Sequence, residues 1–203
     1  ETIELCKASG CPVHVSHEKV DQESRPALEQ VDYEDVDLSF ESYLYPAGMT
    51  HLAMAFPIHL HPGGWPAMEQ RLKHPGARDK AVPILNNSLG RFDQIVGYTD
   101  SGRYVGQRMG ALAAAASMPP GEFAFDLAME EKGAVTLVYP WQTPTEENEQ
   151  VISATAVHPR VMIASDGVYD IPHPHPRSFG CFARVLGEFV RDHGLLTLPM
   201  AVH

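Results

Sequence analysis

Apolar positions recur along this chain at two spacings. In "DVDLSFESYLYPAG" they alternate, which predicts a strand with Leu38, Phe40 and Ser42 on one face and a turn at Pro46 to Gly48. "CPVHVSHEKV" is a short β-branched run closed by charged residues and predicts a second strand ending near His17. "AVTLVYP" is a further strand candidate, and "RVMIAS" is an unbroken apolar run of the kind covered on both faces in a parallel sheet. Near the end the period changes to that of a helix. Phe182, Val185, Leu186, Phe189 and Val190 fall at i, i+3, i+4, i+7 and i+8, which places them on one face.

Punctuation marks the remaining elements. "ETIELCKASG" reads as the last turns of a helix stopped by Gly10, and "LLTLPMAVH" carries another helix-like pattern. Helices are expected near 66–73, near 103–116, and over 121–131, the last opened by Pro119-Pro120 and stopped by Gly133. Thr143, Pro144 and Glu146 supply an N-cap, a first-turn proline and a capping-box acid for a helix running to about Val157, ended by His158-Pro159. Strand, helix, strand, helix with short joints indicates an α/β fold. Between 50 and 142 the text turns rich in Pro, Gly, Met and Ala, so three parts are expected: 1–47, an inserted and mostly helical or looped subdomain at 48–142, and 143–203.

With 203 residues, 44% of them apolar, the chain is long enough for a packed core. Fifteen basic against 26 acidic residues leave a net charge of −11, which disfavours a phosphate backbone and suits a small-molecule partner. No apolar stretch approaches the roughly 18 residues of a membrane helix, and no secretory pattern opens the chain. The three cysteines form no CxxC pair and are expected to be reduced thiols, so the expected setting is soluble and cytoplasmic. Helical patterns at both ends and the missing initiator Met suggest an internal piece of a longer protein.

Two strand ends carry candidate chemistry. Asp166 follows Val161, Met162 and Ile163. A carboxylate there is costly to bury alone and calls for a cation, a water on a metal or several N–H donors. A helix cap is the structural alternative, but Gly167 and a proline-rich loop delay the next helix. His17 has Lys19 two residues on, hence on the same side of an extended chain, and is either a metal ligand or a hydrogen-bonded core residue. His59 and His61 have the spacing of a metal pair but sit in the inserted region, so a loop role is expected; His173 and His175 are separated by proline, which also suits a loop. Trp65 and Trp141 are expected to pack.

Four segments taken in order, "PVHVSHEK", "SYLYPAGMT", "HPRVMIASDG" and "PHPRSFGCFARVLGEFVR", resemble the N-acyl-D-amino-acid deacylases of the metal-dependent amidohydrolase superfamily, most strongly over 157–196. The resemblance implies the C-terminal part of a (β/α)8 TIM barrel with a subdomain inserted after the seventh strand, the strands at His17, Tyr43 and Asp166 being the sixth, seventh and eighth. It also implies zinc, with His17 as a ligand, Lys19 and Arg177 toward the substrate carboxylate, Tyr43 as a substrate contact, and Asp166 as general base and proton shuttle. Three departures bear on substrate preference: Met49 stands where the family has Ser, Leu44 where it has Pro, and the glycine usual after the S-H-x-K motif is missing from 18–22.

These readings lead to an expected function, zinc-dependent hydrolysis of N-acyl-D-amino acids by the full-length protein. An amidohydrolase acting on cyclic amides or dipeptides, and a non-catalytic ligand-binding relative, stand as alternatives. The prolines at 172, 174 and 176 are expected to stiffen the path from Asp166 to Arg177. The upstream metal ligands of the family are absent from these residues, so the chain alone is expected to be inactive, with apolar strand faces uncovered.

Overall fold

Two sheets of opposite character organise the computed structural model, which describes residues 2–90, 93–140, 145–169, 171 and 174–202. In chain order, α1 (Thr2–Ser9), β1 (Val13–Val15), α2 (Arg25–Glu29) and β2 (Leu38–Ser42) precede β3 (Ala47–His51) and two 3-10 turns at Leu52–Ala55 and Ile58–Leu60. Then come α3 (Gly64–Leu72), α4 (Ala77–Leu89), β4 (Ile95–Thr99), α5 (Met109–Ala115), α6 (Pro120–Glu130) and β5 (Val135–Pro140). The last stretch holds α7 (Thr145–Val157), β6 (Val161–Ile163), α8 (Arg177–Arg184), a π-helical segment at Val185–Asp192 and α9 (Leu198–Val202). The chain divides into two compact units: Glu1–Pro46 with Thr143–Tyr169 and Pro176–His203, and Ala47–Gln142 with Asp170–His175. Trp141, Thr143, Pro144, Pro172 and His173 lie outside the described residues.

The first unit is built on a parallel sheet in the order β1-β2-β6. Val13 pairs with Leu38 and Val15 with Phe40, while Phe40 pairs in turn with Val161 and Ser42 with Ile163. In β2 burial alternates as the pattern predicts, with Leu38, Phe40 and Ser42 buried. Leu38 and Phe40 pack with Cys6, Val20, Leu28 and Val36, joined by Ile3, Tyr33, Ala154 and Val161, so α1, α2 and α7 contribute to one covered face. α1 ends where expected, with Gly10 at φ +64° and its N–H donating to the Cys6 carbonyl at 3.0 Å.

Two expectations in this unit fail. β6 is not covered on both faces: Met162 is 54% exposed. It is an edge strand, and residues one step apart point to opposite faces, so Val161 packs and Met162 does not. Nor does the helical face at 182–190 lie wholly inside, because Phe182 and Leu186 are exposed. The helix unwinds from α into π geometry at Val185, His193 N–H reaching back five residues to the Glu188 carbonyl at 2.9 Å. The buried set therefore steps by four, through Cys181, Val185 and Phe189. Arg184 fixes the junction by donating to both Glu188 oxygens (2.5 and 2.9 Å) and to the Leu44 carbonyl.

The second unit surrounds an antiparallel sheet in the order β3-β5-β4. The "AVTLVYP" strand thus runs between two antiparallel partners and does not join β6. Ala47 and Gly48, expected in a turn, pair with Pro140 and Tyr139 and extend β3. α5 begins six residues later than expected, since 103–108 forms a turn in which Gly106, at φ +81°, donates its N–H to the Val96 carbonyl at 2.8 Å. α4 and β4 have no counterpart in the expected elements. Leu52, Met68, Leu85, Val96, Met109, Ala124 and Leu137 sit within one continuous core. Two glycines set its close approaches. A Cβ at Gly121 would stand 2.7 Å from the Asn86 backbone nitrogen and the Val82 carbonyl, and a Cβ at Gly133 would stand 2.3 Å from the Trp65 ring, which places Trp65 in packing as expected.

Candidate functional site

The parallel sheet delivers its strand ends to one place. Glu18 N–H donates to the Glu41 carbonyl at 3.0 Å, so the chain leaving β1 stays in register with β2 as far as His17. Ala164 N–H donates to the Ser42 carbonyl at 3.0 Å and carries β6 toward Asp166 in the same way. There both chains turn into the left-handed region, His17 at φ +65° and Asp166 at φ +45°. Such a conformation costs a side-chain-bearing residue about 1–3 kcal/mol. Ser117 and Lys132, also at positive φ, merely follow helix ends. At His17 and Asp166 the turn re-aims an imidazole and a carboxylate.

They meet. His17 Nε2 lies 3.3 Å from Asp166 Oδ2, and Arg177 Nη2 lies 2.6 Å from the same oxygen. His17 is half exposed, whereas the Arg177 side chain is only 2% exposed. Tyr43 forms the floor between them: the Arg177 guanidinium lies 4.3 Å from its ring centroid, Lys19 Nζ lies 4.5 Å from it, and the His17 ring stands edge-on at 5.8 Å. Two cations thus lie within 4.5 Å of one aromatic ring, with the Asp166 carboxylate against the guanidinium. Burial pushes the Tyr43 phenol up, against the opposing pull of Arg177. Burial, and then the charge of Arg177, pushes the Lys19 ammonium down.

The loop after β6 is tied to the first turn of α8. Ser178 Oγ accepts the Val168 N–H and donates to the Val168 carbonyl, both at 3.1 Å, and the Tyr169 hydroxyl donates to the Ser178 carbonyl at 2.6 Å. Cys181 Sγ adds a weak donor contact to the Ala164 carbonyl at 3.1 Å. A Cβ at Gly167 would come within 2.8 Å of the Tyr169 hydroxyl, so a side chain there would displace the tyrosine ring from this contact. Of the prolines expected to stiffen the path from Asp166 to Arg177, Pro172 lies outside the described residues; the bonds of Ser178 and Tyr169 tie the same path to α8. The sequence signal for this tie is the polar Ser next to Arg177 in "HPRSFG".

His17 and Asp166 offer a nitrogen and an oxygen of the kinds zinc accepts, converging at one point. They fit as part of a donor set: among the described residues no group of three or more His, Cys, Asp or Glu side chains could hold a metal ion. The His59/His61 pair takes no part. His61 Nε2 is 3.0 Å from the Phe56 carbonyl within the second unit, which accords with a loop role. His175 is buried and grouped with that unit.

No model of a protein family matches the chain. Among curated proteins it is 47% identical over 57 residues to an N-acyl-D-glutamate deacylase of Alcaligenes xylosoxydans xylosoxydans, a stretch covering 28% of this chain and 11% of that protein. A D-aminoacylase of the same organism is 34% identical over 82 residues, covering 40% and 16%. Among solved structures the N-acyl-D-glutamate deacylase of Bordetella bronchiseptica, complexed with zinc and a phosphonate mimic of its tetrahedral intermediate, superposes with a TM-score of 0.65 at 22% identity over 98% of this chain. Part of this chain is thus similar in sequence to N-acyl-D-amino-acid deacylases, and nearly all of it is similar to them in fold. A D-aminoacylase structure said to define a novel subset of amidohydrolases gives a TM-score of 0.63 at 22% identity over 99% of the chain. The mixed helix-and-strand fold of the deacylases thus extends across nearly all described elements. The chain spans 35% of the length of either solved deacylase.

Proposed function

We propose that the full-length protein hydrolyses the amide bond of N-acyl-D-amino acids with zinc, releasing the free D-amino acid and a carboxylate. In this reading the chain supplies the C-terminal part of a (β/α)8 barrel, with β1, β2 and β6 as its sixth, seventh and eighth strands and the second unit inserted after the seventh. The observation that carries it is the convergence of His17 and Asp166, beyond the ends of parallel strands, with Arg177 at the start of α8, in contacts of 3.3 Å or less.

His17 would hold the metal with ligands contributed from outside this chain. Zinc, when bound, supplies a Lewis acid and acidifies water toward neutral pH. Asp166 accepts the proton that water loses as its oxygen bonds the amide carbon. It then returns that proton to the nitrogen as the C–N bond breaks, so one carboxylate serves as base and acid in turn. Lys19 and Arg177 make the pocket positive, which favours a substrate bearing a free carboxylate, and the Tyr43 ring gives that end an aromatic wall. A panel of N-acyl-D- and N-acyl-L-amino acids, hydantoins and dipeptides presented to the full-length protein tests the reading. Turnover confined to the N-acyl-D series supports it, and turnover of only cyclic amides or dipeptides overturns it. Met49, where the family has Ser, is the feature that favours this second outcome.

A further inference from the structure

From the packing of α8 we infer that Arg184 is a positioning residue, which fixes the Tyr43 ring by gripping the two residues that follow it. The inference rests on the deacylase reading, in which that ring walls one end of the pocket, and deepens it. The ladder of β2 ends at Ser42, so Tyr43, Leu44 and Tyr45 lie beyond its last paired residue and need another anchor. α8 supplies it. Gly180 and Arg184 are four residues apart, hence on one face of the helix, and both meet this segment. Arg184 donates to the Leu44 carbonyl, and its guanidinium lies 5.0 Å from the Tyr45 ring centroid. A Cβ at Gly180 would stand 2.5 Å from the Tyr45 hydroxyl, so the helix backbone closes on that ring. Cys181, the next residue, donates to the Ala164 carbonyl at 3.1 Å. The turn of helix that holds the chain after Tyr43 therefore also holds the chain leading to Asp166.

Arg184 is itself held. Its side chain is 16% exposed; Nε and Nη2 donate to the two Glu188 oxygens at 2.5 and 2.9 Å, and Nη2 lies 3.8 Å from Glu149 Oε1 on α7. The bonds from Arg184 hold the Glu188 carboxyl below its ordinary range, so both charges persist at neutral pH. A guanidinium forked onto one carboxylate has a fixed plane, and that plane carries Nη1 to Leu44. A neutral side chain of similar length lacks both the fork and the donor. Among the described residues none of these contacts involves His17, Asp166 or Arg177. Loss of Arg184 should thus release the Tyr43 ring while the proposed base stays in place. An aromatic wall touches the substrate before and during reaction alike, so its loss should appear in KM.

The test uses Arg184→Met, Gly180→Ala and Val185→Ala in the full-length protein, assayed on an N-acyl-D-amino acid, with thermal unfolding of each and a crystal structure of Arg184→Met. Val185 follows Arg184, is buried and faces the groove beside β6, so its truncation weakens the helix from that side. Arg184→Met should raise KM about tenfold with kcat within about threefold, and Gly180→Ala should raise KM about threefold. Val185→Ala should lower the unfolding temperature and leave KM unchanged. In the Arg184→Met crystal the Leu44 carbonyl should turn, and the Tyr43 ring should leave the Arg177 guanidinium. A KM rise in Val185→Ala equal to that of Arg184→Met, an unchanged KM in Gly180→Ala, or an undisturbed Tyr43 ring in the crystal overturns the inference. If the unaltered protein cleaves no amide, the deacylase reading falls, while the position of the Tyr43 ring in the crystal still decides the role of Arg184.

Discussion

The two units spend their apolar residues differently. In the second, the apolar side chains of β3, β4 and β5 and of the helices α3 to α6 close on a common interior, and its large exposed hydrophobics among the described residues are few: Met54, Ile58 and Ile84. In the first, Met162, Phe182, Leu186, Met200 and Val202 are exposed and line an open groove of about 1030 Å³ beside the β6 edge. The first unit also holds the strained strand ends and the buried guanidinium. Apolar burial is thus more complete in the unit without the candidate chemistry, while the unit with it keeps apolar surface exposed beside β6, an edge strand among the described residues.

That contrast is sharpened first by activity. In the full-length protein, the proposed function has Asp166→Asn lower kcat on an N-acyl-D-amino acid by about 10³-fold or more, since removing a general base costs about 10²–10⁴ and in the proposed mechanism the same group also returns the proton. A stopped assay of released amino acid measures it, with circular dichroism as the check on folding. Next comes packing. Leu137→Ala, in the fully buried centre of β5, should cost about 2–5 kcal/mol, whereas Leu186→Ala, on the exposed face, should cost less than about 1 kcal/mol. Hydrogen exchange resolved by unit reads both, and equal losses would erase the distinction between the units. Gly133→Ala should fall between them, at about 1–3 kcal/mol, because the methyl meets the Trp65 ring at a position already in the left-handed region.

The smallest effect is a matter of pH. Burial pushes the Tyr139 phenol up to about 12 from its ordinary 10.0. The unfolded chain then loses its proton first, so the stability contributed by the neutral phenol is intact below pH 10, declines above it and is gone once pH passes about 12. Tyr139→Phe should remove that decline, and absorbance of the phenolate against pH should show one tyrosine titrating late.

The sequence revealed these features unevenly, for physical reasons. The alternation of Leu38, Phe40 and Ser42 and the stop at Gly10 were legible because strand period and left-handed caps are local properties. α4 was not, because Pro83 sits inside it and reads as a breaker, while the helix tolerates the lost N–H among buried Ala81, Leu85 and Leu89. β4 was hidden by Gly97, which lies where the pairing of β4 with β5 shifts register and where a side chain would crowd Thr136 at 3.2 Å. The partnership of "AVTLVYP" depended on strands distant in sequence, and no periodicity count anticipates the change to π winding at Val185. At the site, His17 and Asp166 were visible as polar residues closing apolar runs. Their left-handed turns, and the commitment of Arg177 to Asp166, appear only once the strands are laid side by side.

The proposed function requires that the ends of β1 and β6 converge on a metal. The most direct measurement is a crystal structure of the full-length protein with anomalous scattering recorded on both sides of the zinc edge. A zinc peak is expected within bonding distance of His17 Nε2, with the Asp166 carboxylate beside it. A zinc peak whose ligands do not include His17 would contradict it.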